Sequence, residues 1–298
     1  MMKEIRECPA CAAAKPNNIA QLDSVRRRAF LEFDEIKYGG LLSNWLDEIP
    51  VQISGCRECG HAWYRYQPEP GQLSLMYASG RPLSANATPA NAPSAAMHQE
   101  MRRLRRLANE ASGEPLLLDY GSGRGRWARA AVAEGFRVVA YEPSVERGRE
   151  AAPPFQLVHL ESELRGMRFD VIHLEQVLEH VPHPFETLTK LKAYCGPHTI
   201  VRIAVPNILR DPSGRLIWET WPFDGKAPHV LAPFEHLHGF TPASLRELCL
   251  RAGYQPIPPH HIVRTHPVTL LRHWIGFAWP RLGTTLQYLS LHSQNAPR

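Results

Sequence analysis

Two patterns of side chains in this sequence could do chemistry. Four of the six cysteines stand as two C-x-x-C pairs, Cys8-Pro9-Ala10-Cys11 and Cys56-Arg57-Glu58-Cys59, and Gly60 follows the second. Two such knuckles can supply four thiolates to one tetrahedral Zn²⁺, the glycine easing the chain around the metal. A redox pair is the competing reading of the same spacing, and His61 is taken as a neighbour of the site. Cys195 and Cys249 fall in helical patterns and read as core residues. The second pattern is Asp119-Tyr120-Gly121-Ser122-Gly123-Arg124-Gly125, directly after the apolar run Leu116-Leu117-Leu118. A buried strand that passes through glycines into a helix lets a ligand lie against bare backbone, and the helix start offers N–H groups to an anion. A dinucleotide turn needs its third glycine one position later, where Arg126 stands. Glu142 ends the apolar stretch 136–142, and a carboxylate there can accept hydrogen bonds from two ribose hydroxyls. Glu175 and Gln176 close the stretch that begins at Phe169, and Glu235-His236 lie shortly before a helix.

The elements that must position these groups alternate. Strands are predicted at 116–120, 136–142, 156–160, 169–174 and 199–205, and helices at 97–109, 126–134, 184–195 and 241–252. The last helix has Thr241 to cap it, Pro242 at its first turn and Gly253 just past its end. Alternation of this kind specifies an α/β fold, a doubly wound, mostly parallel sheet with helices on both faces. Ligands bind such sheets outside the carboxyl ends of the strands, where Asp119, Glu142, Glu175 and Gln176 all fall. Residues 1–67 read as a small zinc-binding lobe whose interior, 30–51, carries apolar residues without a clean period. Residues 68–96 read as a linker, and 97–298 as the main domain. The tail 267–291 is aromatic but interrupted by charges. It could cover the sheet, contact a second copy or rest peripherally on a membrane, and it contains no clear final strand.

The 298 residues carry a formal charge of +5, with 44% hydrophobic and 21% charged residues, as in ordinary soluble proteins. So small an excess, spread over many arginines, lacks the concentrated basic face that nucleic acid binding leaves. No N-terminal apolar run suggests a leader, and no stretch of about 20 apolar residues could span a membrane. A cytoplasmic location, where thiols stay reduced, is expected.

The D-x-G-x-G-x-G turn, the acid after the second strand, the Phe169-Asp170-Val171-Ile172 to Val177-Leu178-Glu179-His180-Val181 stretch and Val205-Pro206-Asn207 occur in that order. With them the chain resembles the class I S-adenosylmethionine-dependent methyltransferases over about residues 97–260. The resemblance implies a Rossmann-like fold. It also implies S-adenosylmethionine held by Asp119, Tyr120, Gly121, Ser122, Gly123, Gly125, Glu142, Glu175 and Gln176, its methionine carboxylate near the 121–125 amides. A four-cysteine lobe ahead of such a domain, and a Glu-His step before the capped helix, are similar to methyltransferases of sugar nucleotides and surface polysaccharides. The resemblance therefore implies a sugar-related small-molecule substrate. It also implies a proton-abstracting role for His236 and Glu235, although Pro233 stands where those relatives have a neighbouring tyrosine. Substrate contacts are expected between Asn207 and Gly239, a connection holding Trp218, Trp221, Phe223, His229, Phe234, Glu235, His236 and His238. Methylation of RNA or protein docked by the zinc lobe, and a binding scaffold without turnover, are the alternative readings.

Overall fold

The computed structural model describes residues 3–46, 50–79, 92–108, 113–149, 154–209, 221, 223–224, 227–228, 230–258 and 284–291. The N-terminal part runs β1 (Lys3–Glu4), β2 (Asn17–Gln21), α1 (Ser24–Tyr38), α2 (Ser43–Leu46), β3 (Gln52–Gly55), β4 (Ala62–Tyr64), β5 (Tyr66–Gln67) and α3 (Pro70–Ser79). Helix α1 starts where the Asp23 carboxylate accepts the Arg26 N–H at 2.8 Å, and it stops at Gly39, whose φ of 62° few other residues adopt. It buries Phe30, Phe33 and Tyr38 into an aromatic core with Trp45, Tyr64, Trp221 and Phe234. That core explains the missing period in 30–51: bulky rings from several short elements converge on one point. Helix α3 lies within the stretch read as linker and buries Leu73 and Met76, three residues apart on one face. The linker reading is therefore corrected for 70–79. Residues 80–91 lie outside the described set.

The main domain follows. It contains α4 (Ala95–Leu107), β6 (Leu116–Tyr120), α5 (Arg126–Ala133), β7 (Arg137–Tyr141), α6 (Val145–Arg149), β8 (Gln156–Val158), β9 (Phe169–Glu175), α7 (Pro184–Leu191) and β10 (Cys195–Pro206). After two short paired strands, β11 (Phe223–Asp224) and β12 (Ala227–Pro228), come β13 (His238–Gly239), α8 (Pro242–Arg251), β14 (Gln255–Pro256) and β15 (Thr284–Ser290). The central sheet has the order β14-β15-β10-β9-β6-β7-β8. Its five strands from β8 to β10 are parallel, and β15 runs antiparallel beside β10. The tail thus supplies the final strand that its sequence did not reveal, because Thr285, Tyr288, Leu289 and Ser290 are all buried and no two-residue alternation survives. Residues 259–283 lie outside the described set. Cys195 opens β10 and does not lie in a helix, while Cys249 is buried in α8 as expected. Among the described residues no helix is long and apolar enough to cross a membrane.

The two parts are joined through their backbones. Strand β13, from the main domain, pairs antiparallel with β4, so the N-terminal sheet has the order β13-β4-β3-β2. The Thr241 hydroxyl, which caps α8, also donates to the Cys59 carbonyl at 3.1 Å, and Arg251 donates to the Ala10 carbonyl at 2.7 Å. The Tyr64 hydroxyl donates to Leu231 at 2.8 Å and accepts from Trp221 at 2.9 Å. Trp221 and Phe234, expected to meet substrate, are therefore members of the N-terminal core. Trp218 and His229 lie outside the described residues, as does the Phe223 side chain.

Candidate active site

The glycine turn leaves the carboxyl end of β6 as expected, with φ of 77°, 53° and 70° at Gly121, Gly123 and Gly125. Its amides are not free donors. Gly121 and Ser122 donate to the Tyr141 carbonyl, Gly125 to the Ser122 carbonyl, and Gly123 to the Glu142 carboxylate at 2.8 Å. The turn instead contributes room: a side chain at Gly123 would meet nothing within 4 Å. Glu142 braces that space from β7, since its other oxygen accepts the Ser144 N–H at 2.9 Å. Each carboxylate oxygen keeps a further lone pair for a ligand hydroxyl. Two buried polar atoms nearby, Asp119 Oδ2 and Ser122 Oγ, have no hydrogen-bond partner among the described residues. Orphaned acceptors beside a bare-backbone cradle suit a polar ligand such as the amino-acid end of S-adenosylmethionine.

Gly121 has the opposite environment to Gly123. A Cβ there would stand 2.7 Å from Val177 Cγ2, at a φ that costs a side chain roughly 1–2 kcal/mol. Gly121→Ala is expected to destabilise the fold by about 2–4 kcal/mol, strain and overpacking together, because β-branched Val177 has little freedom to yield. Chemical denaturation would measure it.

Asp119 and Glu175 do less for a ligand than their positions suggest. A polar row crosses the sheet through neighbouring positions Asp119, His173, Arg202 and Tyr288. Asp119 Oδ1 lies 2.8 Å from His173 Nδ1, and His173 Nε2 lies 3.1 Å from Arg202. Arg202 also bonds Glu175 and Glu100, and Tyr288 donates to Glu100. The row buries charge safely only because its members satisfy one another. Tyr120 is engaged with Glu161 at 3.3 Å. Gln176, exposed at the mouth, has the left-handed φ of 56°, uncommon for its type.

Beyond Gln176 the chain turns through Val177 into Glu179-His180, which meet His236. The His180 and His236 rings are 4.5 Å apart, edge to face. His180 Nδ1 lies 2.7 Å from the Glu235 carbonyl and His236 Nδ1 2.7 Å from the Val230 carbonyl. Nδ1–H donates in both rings, which leaves each Nε2 with its lone pair. Glu179 is fully buried with neither carboxylate oxygen hydrogen-bonded among the described residues, and burial pushes its acid up to about 8. Burial also holds both histidines below the usual imidazole range. The Glu235 carboxylate pairs with Lys37 of α1 at 2.5 Å. Glu235 and His236 thus make no side-chain pair: the Glu235 backbone carbonyl holds His180, and His236 is held by Val230.

The residue that sequence reasoning missed is Tyr77. Its hydroxyl lies 3.1 Å from His180 Nδ1, its ring lies 5.3 Å below the Arg147 guanidinium, and burial raises its pKa, with added repulsion from Glu235, Glu179 and Glu142. It stands between the Glu142 cradle and the histidine cluster, supplied by a helix in a stretch of linker-like composition. The Leu73–Met76 spacing was the only available signal. Across the sheet, at the amino ends of its strands, Leu116, Phe136, Phe155 and Met167 help line a shallow open depression without clustered catalytic groups.

At the N-terminal knuckles the sulfurs converge. Cys8 and Cys59 are 3.6 Å apart, Cys11 and Cys56 3.5 Å, and all four lie within 4.8 Å of one another. Tetrahedral Zn–S bonds of about 2.3 Å require S···S separations of roughly 3.7 Å, so the donor set fits a metal ion. Gly60, with φ 73°, closes the second knuckle by donating to Cys56 at 3.0 Å.

A parallel sheet with a glycine turn and an acid at adjacent strand ends defines a Rossmann-like nucleotide-binding domain. Residues 95–258 match the family model described as "Methyltransferase domain", and the chain belongs to that family. It is an S-adenosylmethionine-dependent methyltransferase. No curated protein sequence matches it. Among solved structures, the 1,6-didemethyltoxoflavin-N1-methyltransferase of Burkholderia thailandensis, bound to 1,6-didemethyltoxoflavin and S-adenosylhomocysteine, is 22% identical. That match covers 65% of this chain and 76% of that one at a TM-score of 0.38. The plantazolicin methyltransferase BpumL in complex with SAH is 10% identical over 90% of this chain and all of that one, with a TM-score of 0.48. An S-adenosylmethionine-dependent methyltransferase from Mesorhizobium loti is 18% identical over 63% and 95%, with a TM-score of 0.41. The match to a structure from Anabaena variabilis spans only 54% of that chain. These likenesses are too distant to bear on substrate.

Proposed function

We propose that this enzyme methylates a hydroxyl-bearing small metabolite, a sugar or nucleotide sugar in the first place, in the cytoplasm. The observation that supports this reading is the continuity from the Glu142 cradle through Arg147 and Tyr77 to the cluster of Glu179, His180 and His236. In this reading Gly121, Gly123 and Gly125 shape the cofactor surface, with Tyr120 beneath it. Glu142 takes the ribose hydroxyls, Asp119 Oδ2 and Ser122 Oγ take polar atoms of the amino-acid end, and Glu175 and Gln176 face the reacting end. S-adenosylmethionine, when bound, supplies an activated methyl group on sulfur. The protein's share is to hold the acceptor in line and dry, and to receive its proton at the cluster. Cys8, Cys11, Cys56 and Cys59 hold a structural Zn²⁺ in a lobe covering residues 1–67, with the methyltransferase domain spanning 97–298. Incubation of the purified protein with methyl-labelled cofactor and a panel of nucleotide sugars, read by mass spectrometry, tests the substrate. Label appearing only on RNA or protein would overturn it.

Glu142→Ala is expected to weaken S-adenosylmethionine binding by on the order of 100-fold, since two hydrogen bonds to a charged group are lost. Thermal shift and calorimetry would show it, because a ligand of the folded state alone stabilises by mass action. A wild-type protein stabilised by NAD alone would end the cofactor assignment.

A further inference from the structure

We infer that Glu179, His180 and His236 form a binding site for a first-row divalent cation, separate from the four cysteines. One ligand atom from each lies within 4.8 Å of the others, close enough to share an ion. Three features prepare these atoms for a metal. Both imidazoles spend Nδ1–H on a backbone carbonyl, Glu235 for His180 and Val230 for His236, which orients each Nε2 lone pair away from its own hydrogen bond. Metal-ligating histidines are ordinarily oriented by such a bond from the second ring nitrogen. The Glu179 carboxylate is fully buried, neither oxygen has a hydrogen-bond partner among the described residues, and Oε1 lies 3.9 Å from His180 Nε2. A buried carboxyl group without donors either keeps its proton or gives it up to a cation, and two imidazole lone pairs beside it favour the cation. Of the basic side chains that act on His180, Lys37 is already paired with Glu235 and Arg147 lies over the Tyr77 ring.

Two imidazoles and one carboxylate suit Zn²⁺, Fe²⁺ or Mn²⁺ and leave coordination positions open. The cysteine cluster offers only sulfur, so the two sites differ in softness and can be told apart. The inference goes beyond the proposed methyl transfer and does not depend on it, since it concerns binding alone.

Mn²⁺ is the probe, because a hard ion leaves thiolate-bound zinc in place. Electron paramagnetic resonance on the full-length protein should count one bound Mn²⁺ per chain, with zinc content unchanged. Spin-echo spectra of the wild type should show coupling to two imidazole nitrogens, an observation that needs no variant. Glu179→Gln should weaken Mn²⁺ binding by about 100-fold or more, the upper end of what loss of even a supporting partner costs, while its zinc content stays that of the wild type. No bound Mn²⁺ at millimolar concentration, bound Mn²⁺ without nitrogen coupling, or equal affinity in Glu179→Gln would overturn the assignment. S-adenosylmethionine binding, measured on the same samples, reports separately on the methyltransferase reading.

Discussion

His236→Ala is expected to lower the methylation rate by about 10²–10⁴-fold, the usual loss when a group that handles the acceptor proton is removed. Affinity for S-adenosylmethionine should stay nearly unchanged, because the cradle at 121–142 belongs to β6 and β7 while His236 comes from the connection ahead of β13. The imidazole is placed by its bond to Val230 and its contact with His180, so its loss also frees the neighbouring ring. Burial keeps His236 neutral at working pH, which a proton acceptor or metal ligand requires. Glu235→Gln should have a smaller effect, because its carboxylate serves Lys37 and only its backbone holds His180. Near wild-type turnover of His236→Ala at every pH from about 6 to 9 would reduce the residue to a loop histidine.

Cys56→Ser is expected to open the N-terminal lobe to protease and to abolish most methyl transfer while cofactor binding survives. A structural Zn²⁺ contributes on the order of 10 kcal/mol to the folding of a small module. Loss of one thiolate here also loosens Cys59, whose carbonyl anchors Thr241, and Ala10, whose carbonyl anchors Arg251. Strand β4 then loses its hold on β13, two residues from His236, and α1 and α3 no longer present Lys37 and Tyr77 in register. The aromatic core of the lobe contains none of the cysteines, so circular dichroism should show partial rather than complete loss of structure. Protein made in zinc-replete medium without chelators and found free of zinc would sink the metal assignment. Wild-type protease resistance in Cys56→Ser would sink the structural role.

By itself the sequence determined what depends on short-range chemistry. The apolar run 116–118 with its glycines, the strand at 136–142 and the helix capped by Thr241 all form where predicted, because burial pattern and backbone freedom act within a few residues. The two C-x-x-C pairs likewise meet, as their knuckle geometry required. What needed the tertiary structure was every relation across the chain. The strand at 284–290 carries no alternating pattern, since both its faces are covered once it lies beside β10. Trp221 and Phe234 had the look of substrate contacts, yet the N-terminal core claims them, because a small lobe must borrow apolar surface to close. Asp119 and Glu175 stand at strand ends as expected, but Arg202 and His173, buried beside them, draw their carboxylates inward. Tyr77 reaches His180 across 103 residues of sequence, and Lys37 reaches Glu235 across 198. No local pattern encodes such meetings, because they follow from β13 pairing with β4, a contact that exists only when both halves are folded.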